Sequence, residues 1–230
     1  MFTRGCQYVA ARSQPLDLLK SHFSDHRYED AVGNLCGERF EFVHFAGAQS
    51  LRQVFDAVKF FMTNVEINIS ERLGHTTVRE DCNGMDEATS IPNCRLVSET
   101  NDGVTFEMNS VAFAEYFEHR EEFDGRPCAV MVADSVDVDD LYPYNPSERV
   151  RRDASVAIVF TEVKRRRRTG NAAESDDEEL VVVMQRAAFS KVYCSELEVA
   201  DASAMDALQE GVSNWGDVMV QTIRGFIQAL

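Results

Sequence analysis

No stretch of the sequence runs to the roughly 18 consecutive apolar residues that a membrane-crossing helix requires, so a helical membrane span is excluded. The opening M-F-T-R-G-C-Q-Y-V-A-A-R has no apolar run of signal-peptide length before Arg12, and secretion is not expected. Cysteine is scattered: the six residues at 6, 36, 82, 94, 128 and 194 form no C-x-x-C pair, which excludes a zinc ribbon and a dense disulfide scaffold. A reducing intracellular setting, cytoplasmic or nuclear, fits that usage. Catalytic signatures are missing too. There is no G-x-S-x-G, no H-E-x-x-H, no phosphate-binding glycine loop and no dinucleotide fingerprint. The chain therefore reads as non-enzymatic, with no cofactor implied. Cations are outnumbered, 23 Lys and Arg against 39 Asp and Glu, and the net charge of −16 repels nucleic-acid phosphates and anionic membranes alike.

Three weak constellations fail on chemistry. His22 and His26 would share a helix face with Cys36 nearby, yet a closing pair of metal ligands is absent. Asp134, Asp137, Asp139 and Asp140 crowd one segment, but an EF-hand would need an oxygen ligand at Leu141 and a glycine at Tyr142. Glu115 and His119 lie four apart and could exchange protons only inside a pocket. No metal site is expected.

What is present is an ordinary globular composition, 230 residues with 44% hydrophobic, enough for a sizeable core. Residues 1–37 read as a mixed, partly irregular N-terminal segment with a short helix over Leu16–Phe23; residues 38–230 read as one domain. R-F-E-F-V-H-F from Arg39 alternates as a strand does. Leu51, Val54, Phe55, Val58, Phe61, Met62 and Val65 recur at helical spacing, with Ser50 placed to cap the start and Gly74 following the end. A β-rich middle follows: H-T-T-V-R-E-D, C-R-L-V-S-E-T, G-V-T-F-E-M-N-S-V-A-F and R-P-C-A-V-M-V-A-D-S-V, with N-D-G at 101–103 a turn signal. A loop broken by Pro143 and Pro146 leads to two last strands, A-S-V-A-I-V-F-T-E-V and L-V-V-V-M-Q-R-A-A-F-S-K-V.

Between those two strands lies K-R-R-R-R-T-G-N-A-A-E-S-D-D-E-E. On the structural reading, Lys164, Arg165, Arg166, Arg167 and Arg168 and the acidic cluster are the two roots of one hairpin, attracting each other. On the functional reading, the same run is a nuclear import signal in an exposed loop. Ser175 precedes Asp176, Asp177 and Glu178 and looks like an acidophilic kinase site, where a phosphate would mask the cations. Nucleic-acid binding would require the run to meet the other cationic cluster, Arg149, Arg151 and Arg152.

The chain closes on an amphipathic helix in which Met205, Leu208, Val212, Trp215, Met219, Ile223 and Phe226 step by three and four, with Ser203 and Asp206 resembling a capping box. Gly211, Gly216 and Gly225 each cost a helix interior up to about 1 kcal/mol, a cost that close approach to a sheet would offset. Helix, many strands, final long helix is the order of an α+β helix-grip arrangement, a curved antiparallel sheet wrapped around the terminal helix.

The strings E-M-N-S-V-A-F, V-A-D-S-V-D-V-D-D-L-Y-P-Y-N-P-S-E-R-V-R-R-D, L-V-V-V-M-Q-R-A-A-F-S-K-V and N-W-G-D-V-M-V-Q-T-I-R resemble an oomycete family of START-like proteins, some labelled mating-specific. The resemblance covers about residues 38–230 and implies the START fold, in which the sheet and terminal helix enclose an apolar tunnel. It implies no particular ligand. Family members often carry a basic, heptad-bearing N-terminal region; residues 1–37 have neither feature, which argues against a transcription-factor role.

Two readings of function follow. In the first, a lipid or other apolar small molecule occupies a cavity walled by Phe106, Met108, Val130, Met184, Val212, Trp215 and Met219. Arg186, a cation inside an apolar strand, either points inward to a carboxylate or ligand head group or outward to water. In the second, the same apolar residues fill a core, and the chain is a regulatory domain that engages a protein partner, with the basic loop directing it to the nucleus.

Overall fold

The computed structural model describes residues 1–74, 76–81, 93–100, 103–123, 125–166, 178–193 and 202–229. Its elements are α1 (Phe2–Ser13), β1 (His22–Glu29), β2 (Leu35–Ala46), α2 (Leu51–Thr63), α3 (Val65–Leu73), β3 (Thr76–Asp81), β4 (Asn93–Glu99), β5 (Thr105–Phe117), β6 (Cys128–Ser135), β7 (Val150–Arg166), β8 (Glu178–Val192) and α4 (Ala202–Gln228), with a single 3-10 turn at Glu121–Phe123. The eight strands form one sheet in the order β1-β2-β8-β7-β6-β5-β4-β3, with every neighbour antiparallel, and with the helices they make an α+β fold.

One pairing departs from that rule. β6 stops at Ser135, and beyond its end β5 and β7 meet directly, Phe106 opposite Val150 and Glu107 opposite Arg151, in parallel. Two strands that elsewhere stand one strand apart converge there, so the sheet must bend at that point.

Alternation along each strand divides the side chains between two faces. On the inner face, Phe45, Met131, Ile158, Phe160, Val182 and Met184 pack against α2 and α4, including Val54, Val58, Val218, Met219 and Ile223. At its far end Trp215 joins Ile69, Leu96, Phe106, Met108 and Val150. On the outer face, Phe40, Phe42, Val130, Val132, Val159 and Val183 form a second core with Val9. The cover is α1, whose Phe2, Cys6 and Val9 step by four and three. Gly5 lets it sit low: a side chain there would collide with Val132 and crowd Ala157. The architecture is three layers, helix, sheet and helices.

The expected elements and the observed ones differ in several places. Residues 16–23 are not a helix. Leu16 and Leu18 pack onto the outer core in a connecting segment, and β1 begins at His22. α1 has no counterpart among the expected elements. Residue 38 falls inside β2, and residues 1–37 supply α1, all of β1 and the start of β2. The single helix expected from Ser50, fraying into extended chain near Ile67, is two helices divided at Asn64, whose backbone leaves helical geometry, and Ile67 lies inside α3. The Asn64 side-chain amide donates to the Phe60 carbonyl, the competition with backbone bonding that makes asparagine a helix breaker. Ser50 does cap α2, accepting from the Gln53 amide at 3.2 Å, and Gly74 closes α3. Asn101 and Asp102 of the expected turn, and the side chains of Ser203 and Asp206, lie outside the described residues.

Candidate functional site

Between the inner face and the helices lies a pocket of about 200 Å³. Met108 and Ala112 of β5, Met131 of β6, Ile158 of β7 and Met219 of α4 give it apolar walls. Two buried arginines interrupt that lining, Arg186 of β8 at 3% exposure and Arg152 of β7 at 4%. Each meets one of two consecutive residues of α4.

Arg186 points inward, which resolves the choice left by the sequence. It is ion-paired with Glu41 of β2 and lies 3.7 Å from Asp217 of α4. Arg39 joins the same group, 3.4 Å from Glu41 and 3.2 Å from Asp217. Burial pushes the Arg186 guanidinium below its ordinary pKa, with Glu41 pulling the other way. Its nitrogens occupy the space that a side chain on Gly216 would fill, so the helix can cross here only with glycine.

Arg152 is different. Its guanidinium lies 4.5 Å from the centre of the Trp215 ring and 5.6 Å from that of Phe106. Among the described residues it has no ion pair, and its buried Nε has no hydrogen-bond partner. Burial alone pushes its pKa down to about 9. It remains a cation at neutral pH. A 4%-exposed, unpaired charge is costly, and a folded protein normally pairs it.

The residues expected from the sequence divide as follows. Met108, Arg186, Trp215 and Met219 line the pocket. Phe106 stands behind Trp215, its ring centre 6.2 Å from the indole. Met184 is packed between the sheet and helices in the main inner core and is not part of the lining. Val130 is on the other face, under α1; the phase of β6 sends Met131 and Ala133 inward instead. Val212 lies on α4, with its side chain outside the described residues. The sequence alone groups Arg152 with a cationic cluster and not with the cavity. The signal that finds it is alternation carried further back, since Arg152, Ala154, Val156 and Ile158 share the lining.

No family model matches the sequence, and no curated protein matches it. Among solved structures, the chain is similar to human STARD10, at 7% identity and a TM-score of 0.45, over 93% of this chain and 77% of that one. It is similar also to TTHA0849 from Thermus thermophilus, at 9% identity and a TM-score of 0.36, over 85% of this chain and 97% of that one. A third is NE0264 from Nitrosomonas europaea, at 11% identity and a TM-score of 0.29, over 87% and 97%.

Other constellations come apart in the fold. His22 and His26 are on strand β1, four residues and about 13 Å apart, too far to share a metal. His22 packs on Phe40 and Phe42, and His26 stacks on Tyr28. Among the described residues no cluster of His, Cys, Asp and Glu could hold a metal ion. Asp139 accepts the amides of Leu141 and Tyr142 as a turn former. Glu115 and His119 are both exposed, and neither lines the pocket. The two basic clusters occupy opposite ends of β7, roughly 40 Å apart, so they form no common patch. Arg149 is paired with Glu107 at 3.3 Å and Arg151 with Asp153 at 2.9 Å.

At the hairpin, Lys164 pairs with Glu178 at 2.9 Å and Arg165 with Glu179 at 3.1 Å. The register sets Arg166 opposite Glu178. Arg167, Arg168 and Ser175 lie outside the described residues. No helix among the described residues is long and apolar enough to cross a membrane.

Proposed function

We propose that the chain is a non-catalytic, helix-grip START-like module that holds a lipid or other apolar small molecule between the inner face of its sheet and α4. The observation that carries this reading is the pocket itself, where Met108, Met131, Ile158, Trp215 and Met219 leave space that a filled core would close. The strand order, the bend where β5 meets β7, and a terminal helix laid over the inner face support the START-like assignment. Binding would draw on burial of ligand surface at about 25 cal/mol per Å². Phe106 and Met184 would act behind the first layer of contacts. Scattered cysteines with no C-x-x-C pair fit an intracellular setting, cytoplasmic or nuclear.

Native mass spectrometry of the purified protein tests the reading. A co-purifying apolar molecule, lost when Met219→Trp fills the pocket, is the expected result. A protein that carries nothing and takes up no lipid from mixed vesicles would leave the alternative, a regulatory domain whose partner is another protein.

A further inference from the structure

We propose that Arg152 is the head-group anchor of the pocket and that the ligand is an amphipathic anion, an apolar body ending in a carboxylate or phosphate. This rests on the binding reading above and specifies its chemistry.

The two buried arginines of the pocket differ in their partners. Arg186 has its counter-ion in the protein: Glu41 holds it, Asp217 is close, and Arg39 completes a charge-balanced group of two cations and two anions. Arg152 is as deeply buried and has none among the described residues. Trp215 and Phe106 hold its guanidinium by their rings. Ring contact leaves in-plane N–H groups for a planar or tetrahedral anion. Five of the seven charged residues lining the pocket are arginines, and four of them have carboxylate partners: Arg27 with Asp25, Arg39 and Arg186 with Glu41, and Arg79 with Glu66. Arg152 is the fifth. Asp25 and Arg27 are exposed and mark the rim, while Arg152 lies deep. A neutral head group can accept one hydrogen bond but leaves the charge uncompensated; an anion accepts the bond and supplies the missing counter-charge.

The sole tryptophan of the chain is Trp215, in contact with Arg152, so selectively excited tryptophan fluorescence reports on this place alone. The purified full-length protein is titrated with decanoate, decyl phosphate and decanol, each below its aggregation concentration. At least one of the anions is expected to bind about ten-fold or more tighter than decanol, the effect of one charge-assisted hydrogen-bonded pair. Which anion leads distinguishes a carboxylate from a phosphate head group. Arg152→Met is expected to bring anion and alcohol to equal affinity while keeping alcohol binding, and to raise the thermal midpoint of the ligand-free protein. Arg152→Lys, which keeps the charge, is expected to retain part of the preference.

Equal affinity of all three probes for the wild type would overturn the anchor and leave apolar binding standing. Failure of every probe to bind would overturn both readings. The wild-type comparison decides even where Arg152→Met fails to fold.

Discussion

Glu41 and Arg186 show how the interior tolerates charge. The two lie on paired strands, directly opposite in register, and each is almost wholly buried. Neither is comfortable alone. Removing one partner of such a pair costs about 3–5 kcal/mol, because the other is left as an uncompensated buried ion. Glu41→Ala is therefore expected to lower unfolding stability in urea by about that amount, softened where Asp217 takes over part of the pairing. The double change Glu41→Leu with Arg186→Met is expected to recover most of it, since a well-packed apolar pair of similar volume is close to neutral. A single variant as stable as the double would show that the ion pair contributes nothing.

Among helices and strands, the terminal helix makes the sharper test. Close approach to the sheet is the expectation for its glycines, and they do not behave alike. At Gly216 a methyl group would fall on the Arg186 guanidinium, whereas at Gly225 it would meet open space. The described side chains of α4 begin beyond Gly211. Gly225→Ala is expected to stabilise the protein by up to about 1 kcal/mol, the helix-propensity difference. Gly216→Ala gains the same propensity but must displace a buried, paired cation; a net loss of about 1–3 kcal/mol is expected from chemical unfolding. Equal effects of the two would mean that α4 does not rest on β8 at Gly216.

Legibility follows how strongly each element's pattern is set by burial on one face. α2, β5, β6, β8 and α4 announce themselves because apolar residues recur through them at one period, with Arg186 the exception in β8. β1 does not: H-F-S-D-H-R-Y-E is polar and largely exposed, an edge strand held by backbone pairing to β2. α1 hides behind a glycine and a cysteine in a short polar stretch, although Phe2, Cys6 and Val9 carry the helical step. Face choice is the harder problem. Period two says that Val130 and Met131 point opposite ways, but not which way, and only the layer beneath decides. Arg152 escapes a reading of the sequence for a related reason: a strand that begins with V-R-R-D looks like a loop until its alternation is followed back from Ile158.

For the molecule as a whole, both faces of the sheet are covered, and the outer cover is the slighter one. α1 is twelve residues long, and only Val9 among its apolar side chains is fully buried. Val9→Asp would place a carboxylate against Val132, Val159 and their neighbours with no partner, and burial of the valine itself is worth about 1.5–3 kcal/mol. The expected outcome is an undocked α1 over a folded sheet, seen as dye binding to the uncovered face and self-association by size-exclusion chromatography, with the far-UV signal of the strands retained. A monomer that excludes the dye would show that α1 stays docked without Val9.

The meeting of β5 and β7 past Ser135 has a mechanical consequence. Backbone bonds lock that seam, and Phe106 and Val150 stand on it, next to Arg152. Backbone pairing there resists opening of the sheet. A guest of the kind proposed above, entering past the exposed Asp25 and Arg27, would have to travel charged end first to reach Arg152.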